Sequence, residues 1–138
     1  MSKKRSILFA VIALILIVAI FVGIGYSKNT VFKRLINKVV TEYTWANNSR
    51  ASDDSYMIID TNPEDADPES SLYDSRTEKD SLKAIRYVNE ELGFSDAVYQ
   101  KMLSTTALMG RQTVDNDKYI ITWTYHPQKG LEVMYEKK

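Results

Sequence analysis

The sequence predicts an α+β protein: a single N-terminal transmembrane helix followed by a small domain of two to three helices and a C-terminal three-stranded antiparallel β-meander. Three observations predict this class: an uncharged apolar run over residues 7–26, two stretches with helical spacing of apolar residues, and alternating apolar and polar residues near the C-terminus. About 110 residues follow the run, which is enough for one small domain.

The apolar run from Ile7 to Tyr26 contains no charged residue. Twenty residues in a helix rise about 30 Å, which is the thickness of the hydrocarbon core of a bilayer. Three basic residues lie in the short tail 1–6, which predicts a cytoplasmic N-terminus and an extracytoplasmic C-terminal domain. The expected localisation is therefore the cell membrane, crossed once, with the lipid bilayer as the partner of residues 7–26.

Gly23 and Gly25 allow a second interpretation of the apolar run, as a cleaved signal peptide. Small residues near the end of an apolar run are typical of a signal-peptidase site, and a cut after Gly25 would release a secreted protein. The run is longer than the apolar core of most signal peptides, about 7–15 residues, and this length favours a retained signal-anchor.

Charge and cysteine content exclude several classes of function. The chain has no cysteine, which excludes disulfides, thiolate catalysis, cysteine-based zinc sites and cysteine lipidation. Three of the 18 basic residues precede the run and all 18 acidic residues follow it, so the part after the run carries a net charge of −3. A nucleic-acid partner would need a basic face, so none is expected.

An amphipathic juxtamembrane helix is predicted within residues 27–46, capped by Asn29 or Thr30. One of its sides is apolar and consists of Val31, Phe32, Leu35, Ile36, Val39, Val40 and Tyr43. Three alternatives are open for this side: packing on the sheet of the domain, contact with a lipid surface, or pairing with a partner helix.

Residues 47–79 are predicted to form an acidic flexible loop. From Arg50 to Asp80, ten acidic residues stand against three basic ones, a composition that buries little apolar surface. Within this segment, Tyr56–Ile59 has the composition of a short strand. No EF-hand spacing is present, so solvated carboxylates are expected here rather than a calcium site.

Residues 80–138 are predicted to form the extracytoplasmic α+β domain. Thr77 or Asp80 begins a helix that ends at Leu92, and a shorter helix follows over residues 96–104. The sheet comes after these helices.

Two alternating segments, 119–125 and 131–135, predict a β-hairpin, and a third strand is predicted over residues 111–114. One register of the hairpin places the large apolar pairs on one face. In that register Tyr125 faces Leu131, Trp123 faces Val133 and Ile121 faces Tyr135.

The region from residue 83 to residue 138 also carries a resemblance. It contains Glu91-Leu92-Gly93-Phe94, Val98-Tyr99-Gln100-Lys101-Met102, Trp123-Thr124-Tyr125-His126-Pro127 and Gly130-Leu131-Glu132-Val133. In these segments the chain resembles an uncharacterised family of small exported or membrane-anchored proteins of Gram-positive bacteria. The resemblance implies an extracytoplasmic bacterial protein and supplies no activity and no functional residue.

No catalytic, cofactor-binding or metal-binding residue is predicted, and no cofactor is expected. His126 is the only histidine and precedes Pro127, so it is interpreted as a turn residue. Arg111 could bind a carboxylate or phosphate, and a small hydrolase that uses His126 and Arg111 is one alternative. The leading hypothesis is a non-enzymatic, membrane-anchored module that binds or modulates an envelope protein. A secreted binding or protective factor is the other alternative, and the oligomeric state is left open.

Overall fold

A computed structural model describes residue 7, residues 9–20 and residues 30–138 of the chain. The chain divides into two compact units, Met1–Val31 and Phe32–Lys138.

In the first unit, residues 9–20 are helical. A transmembrane helix needs about 20 consecutive apolar residues. Across the described residues, no helix combines the length and the apolar character that a membrane span requires. This finding overturns the prediction of a single-pass transmembrane helix over residues 7–26, together with the membrane localisation and orientation based on it. The predicted cleavage site after Gly25 lies outside the described residues, so secretion stays a prediction.

The second unit is α+β, with helices on one face of an antiparallel sheet. Its helices are α1 (Val31–Glu42, all but the first residue in this unit), α2 (Ser75–Glu91) and α3 (Asp96–Leu103), followed by a 3₁₀ helix (Ala107–Met109). The strands run in the spatial order β1-β2-β5-β4-β3. They are β1 (Asn47–Arg50), β2 (Tyr56–Asp60), β3 (Gln112–Asp115), β4 (Tyr119–His126) and β5 (Gly130–Lys137).

The five-stranded sheet shows that the prediction of a three-stranded meander is wrong. β3, β4 and β5 are neighbours, but β2 pairs with the remaining edge of β5, and β1 pairs with β2. Both added strands lie within residues 47–79, the segment predicted to be a loop. The short strand predicted there at Tyr56–Ile59 is present as β2, whereas β1 was not predicted. The predicted register of the C-terminal hairpin is confirmed, with Tyr125 opposite Leu131, Trp123 opposite Val133 and Ile121 opposite Tyr135.

The core lies between the helices and one face of the sheet. Its fully buried side chains come from α1, α2, α3 and the three central strands, and include Phe32, Val39, Met57, Ile59, Ile85, Val88, Met102, Ile121, Val133 and Tyr135. The Phe32 ring lies 6.0 Å from the ring of Tyr119, centroid to centroid. Of the three alternatives for the apolar side of α1, packing within the domain is therefore the one observed.

The helix α2 begins earlier than predicted. Asp74 caps it by accepting a hydrogen bond from the backbone N–H of Arg76 at 2.9 Å, ahead of the predicted start at Thr77 or Asp80. The Arg76 guanidinium also lies 3.9 Å from the centroid of the Trp45 ring. These contacts stabilise the extra helical residues, and the Arg76 side chain lowers the pKa of Asp74.

Tyr135 and Asn89 form a buried hydrogen-bonded pair between β5 and α2. The Tyr135 hydroxyl donates to Asn89 Oδ1 at 2.9 Å, and Asn89 Nδ2 donates to the sulfur of Met102 at 3.6 Å. Burial raises the pKa of Tyr135 well above 10.0, so the hydroxyl stays protonated and available as a donor.

Replacing Tyr135 with phenylalanine is expected to lower the free energy of unfolding by about 1–3 kcal/mol, because Asn89 Oδ1 then remains buried without this donor. Chemical denaturation measures the loss. The control is Tyr125→Phe, since Tyr125 is partly exposed and its hydroxyl forms no hydrogen bond with the described residues. Equal losses in the two variants would contradict the assigned role of the Tyr135 hydroxyl.

Candidate functional site

The face of the sheet opposite the helices is the candidate site. Side chains alternate along a strand, so the neighbours of the buried residues point away from the core. We call this surface the open face; in β2, β4 and β5 it consists of Tyr56, Ile58, Asp60, Ile120, Thr122, Thr124, Glu132, Met134 and Glu136. None of these side chains is fully buried.

Apolar and acidic side chains alternate in space on the open face. Met134 lies between Ile58 of β2 and Thr122 of β4 in the ladder, at the middle of the sheet. Glu132 and Glu136 lie on either side of it along β5. The centre of the face is therefore apolar and is bounded by carboxylates.

Asp60 stands directly opposite Glu132 in the β2–β5 ladder. Like charges in this position destabilise a sheet. The pKa of Asp60 is raised above 3.8, first by partial burial and then by Glu132 and Asp65, although the backbone N–H of Asn62 donates to Asp60 Oδ1 at 2.8 Å. The chain thus keeps an unfavourable pair of carboxylates on this surface.

Two depressions lie on the open face and share Thr124 and Glu132. The first, of about 160 Å³, is lined by Arg111, Thr122, Trp123, Thr124, Glu132, Met134 and Glu136. The second is wider, about 440 Å³, and extends from Asp60 to the turn around His126 and Lys129. Glu132, Glu136 and Arg111 form no ion pair or side-chain hydrogen bond with another residue of the described chain.

The structure does not bring His126 and Arg111 together. His126 is exposed and is the last residue of β4, at the border of the turn rather than within it, and its Nδ1 accepts a hydrogen bond from the backbone N–H of Gln128 at 3.2 Å. Arg111 lines the first depression and His126 the second.

Asp115-Asn116-Asp117 is a polar turn between β3 and β4. Asn116 forms the turn before β4: its Oδ1 accepts hydrogen bonds from the N–H groups of Lys118 and Tyr119, and its Nδ2 donates to the carbonyl of Leu92 at 3.0 Å. In the described parts of the chain, no group of three or more acidic or histidine side chains is placed to hold a metal ion.

The part of the open face on the β4–β5 hairpin can be predicted from the sequence, whereas the part on β2 cannot. The predicted hairpin register puts Glu132, Met134 and Glu136 together on the side away from the aromatic residues, so this row was available as a signal. Asp60 joins them through the pairing of β2 with β5, which nothing in the acidic segment 47–79 specifies.

Comparison with protein-family models, with characterised proteins and with solved structures gives no match to this chain.

Replacing Asp60 with asparagine is expected to raise the melting temperature at about pH 7. The raised pKa means that the folded state binds a proton more tightly than the unfolded state, so the ionised carboxylate is unfavourable above the folded pKa. This penalty disappears as the pH falls through that pKa. The difference in melting temperature between the variant and the original protein should therefore become smaller toward about pH 3.

Thermal unfolding at several pH values measures the effect, with Asp117→Asn as the control. Asp117 is exposed and has no hydrogen bond or ion pair with the described residues. A melting temperature that rises equally in both variants, or an advantage that is independent of pH, would contradict the raised pKa of Asp60.

Proposed function

We propose that this protein is a non-enzymatic binding module that contacts a partner protein through the open face. One observation carries the proposal: Glu132 and Glu136 stand without ion pairs on either side of Met134, on a sheet face that the helices of the domain leave uncovered. Apolar side chains bounded by polar ones are typical of protein-binding surfaces.

The Asp60–Glu132 pair supports the same function. Adjacent carboxylates reduce the stability of the sheet, and such local conflicts between sequence and fold are expected at functional sites. A partner that neutralises these carboxylates would remove the repulsion on binding. The pair is thus unfavourable in the free protein and favourable in a complex.

The size of the open face indicates the strength of the interaction. Four strand spacings of about 4.8 Å and five residues of about 3.4 Å give roughly 330 Å². A stable interface buries about 800 Å² per partner. The open face alone therefore suits a weak, reversible complex, and a stronger one would also use the neighbouring turns at Pro63–Asp65 and His126–Lys129.

Site-specific photocrosslinking of the full chain in its native cell tests the proposal. A photoreactive amino acid at Thr122, in the first depression, is expected to capture a defined partner. The same amino acid at Lys83, on the exposed side of α2, serves as the control. Adding Glu132→Gln and Glu136→Gln should reduce capture from position 122. Identical adducts from both positions, or capture that is insensitive to these substitutions, would overturn the proposal.

A further inference from the structure

We infer that the partner presents a cationic, amphipathic extended segment, with basic side chains two positions to either side of an apolar one. This inference rests on the proposed function of the open face and names the chemistry of its ligand. Its basis is the row Glu132, Met134 and Glu136 along β5.

The charges of the open face carry the first step. Asp60, Glu132 and Glu136 are acidic, and Arg111 is the one basic residue among the described residues that line the first depression. Other carboxylates at the margins already have partners: Asp65 binds Lys129, and Asp115 binds Lys138. The unpaired charge that remains is negative, so it complements a basic segment.

The spacing of the row carries the second step. Alternate residues in a strand lie about 6.8 Å apart, so the two glutamates are about 13–14 Å apart with the methionine between them. An extended segment has the same period, and its alternate side chains can match the row one by one. Two lysines or arginines flanking an apolar residue satisfy both the carboxylates and the apolar centre.

The same charges argue against two other occupants. A second copy of this chain, related by a two-fold axis through the open face, would place Asp60, Glu132 and Glu136 against the same carboxylates. A nucleic acid would bring phosphates to this acidic surface, and phosphate binding needs basic residues. The geometry therefore favours a basic segment of a different protein.

Peptide binding to the isotopically labelled full chain tests the inference. The probes are three acetylated, amidated peptides: Lys-Thr-Val-Thr-Lys, its glutamine analogue Gln-Thr-Val-Thr-Gln, and its acidic analogue Glu-Thr-Val-Thr-Glu. The lysine peptide is expected to shift the backbone amide signals of β2, β4 and β5 and to bind less tightly as salt rises. The other two peptides should bind at least about tenfold more weakly.

Matched variants locate the binding. Glu132→Gln with Glu136→Gln should weaken the lysine peptide about tenfold. Glu90→Gln with Glu91→Gln removes two carboxylates from α2 and should leave its binding unchanged. Equal binding of the lysine and glutamine peptides at the open face would overturn the cationic ligand and leave the proposed binding function standing. Shifts confined to other surfaces would overturn both. If no peptide binds, the cationic segment is overturned, and the crosslinking at position 122 decides the proposed function independently.

Discussion

Replacing Gly130 with alanine is expected to lower the free energy of unfolding by about 3 kcal/mol. Gly130 has a φ of 75°, in the left-handed region, where an L side chain costs about 1–2 kcal/mol. A Cβ here would collide with the hydroxyl oxygen of Thr61 and would lie 3.2 Å from Cβ of Asn62. Overpacking of this kind costs a further 1–3 kcal/mol or so.

The residues that Gly130 contacts cannot move away without losing other bonds. The Thr61 hydroxyl accepts the N–H of Leu131 at 2.8 Å, and the Thr61 N–H donates to the carbonyl of Leu131 at 3.0 Å. Asn62 is buried, and its Nδ2 donates to the carbonyls of Ala66 and Gln128. A Cβ at Gly130 would therefore disturb the hydrogen bonds of Thr61 and Asn62, which hold the turn beside the second depression in place.

Gly93→Ala is the matched control for this prediction. Gly93 has a φ of 83°, but a Cβ there would meet only an ordinary contact, Asn116 Nδ2 at 3.9 Å. Its replacement should lower the free energy of unfolding only by the cost of an L side chain at a left-handed φ, about 1–2 kcal/mol. Chemical denaturation of the two variants compares the losses. If they are equal, the contact with Thr61 contributes nothing and the argument for Gly130 fails.

The C-terminal hairpin shows what the sequence specifies well. Alternation over β4 and β5 is interrupted only by Ile120 and Met134, and only one register puts Trp123 and Tyr135 on the same side as their apolar partners. A slip of one residue would move both aromatic side chains to the opposite face. The structure has this register, and with it the row of Glu132, Met134 and Glu136 on the open face.

The other edge of the sheet shows what the sequence does not specify. β1 reads Asn-Asn-Ser-Arg and has no apolar residue, so it carries no periodicity from which a strand could be predicted. Its position depends on distant partners: it pairs with β2, and the N–H of Asn47 donates to the hydroxyl of Ser81 at 3.1 Å. Half of the candidate site depends on the same tertiary pairing, since Asp60 meets Glu132 only across β2 and β5.

Asp54, in the loop between β1 and β2, forms contacts that the sequence does not predict. Asp54 is 4% exposed, and its carboxylate binds three groups: a backbone N–H, a lysine ammonium and an arginine guanidinium. It accepts the backbone N–H of Lys33, in the first turn of α1, at 2.9 Å, and Lys137 Nζ of β5 at 2.6 Å. Arg50 Nη1 lies 3.4 Å away. A residue in the acidic segment thus joins α1, the hairpin and the end of β5.

Replacing Asp54 with asparagine is expected to lower the free energy of unfolding by about 3 kcal/mol, because removal of one charge leaves the partly buried Lys137 ammonium without its anion. Asparagine tolerates the φ of 59° at this position, so backbone strain does not contribute. The neighbouring Asp53→Asn is the control, since Asp53 is exposed and its carboxylate accepts hydrogen bonds only from Ser55 within the described part of the chain.

A double-mutant cycle with Lys137→Met separates the ion pair from the cap on α1. If the pair dominates, the second substitution should add little to the loss caused by Asp54→Asn, because the unpaired ammonium is gone. If the two losses simply add, the pair with Lys137 contributes nothing, and Asp54 acts through the N–H of Lys33 and through Arg50. A loss no larger than that of Asp53→Asn would contradict both contributions.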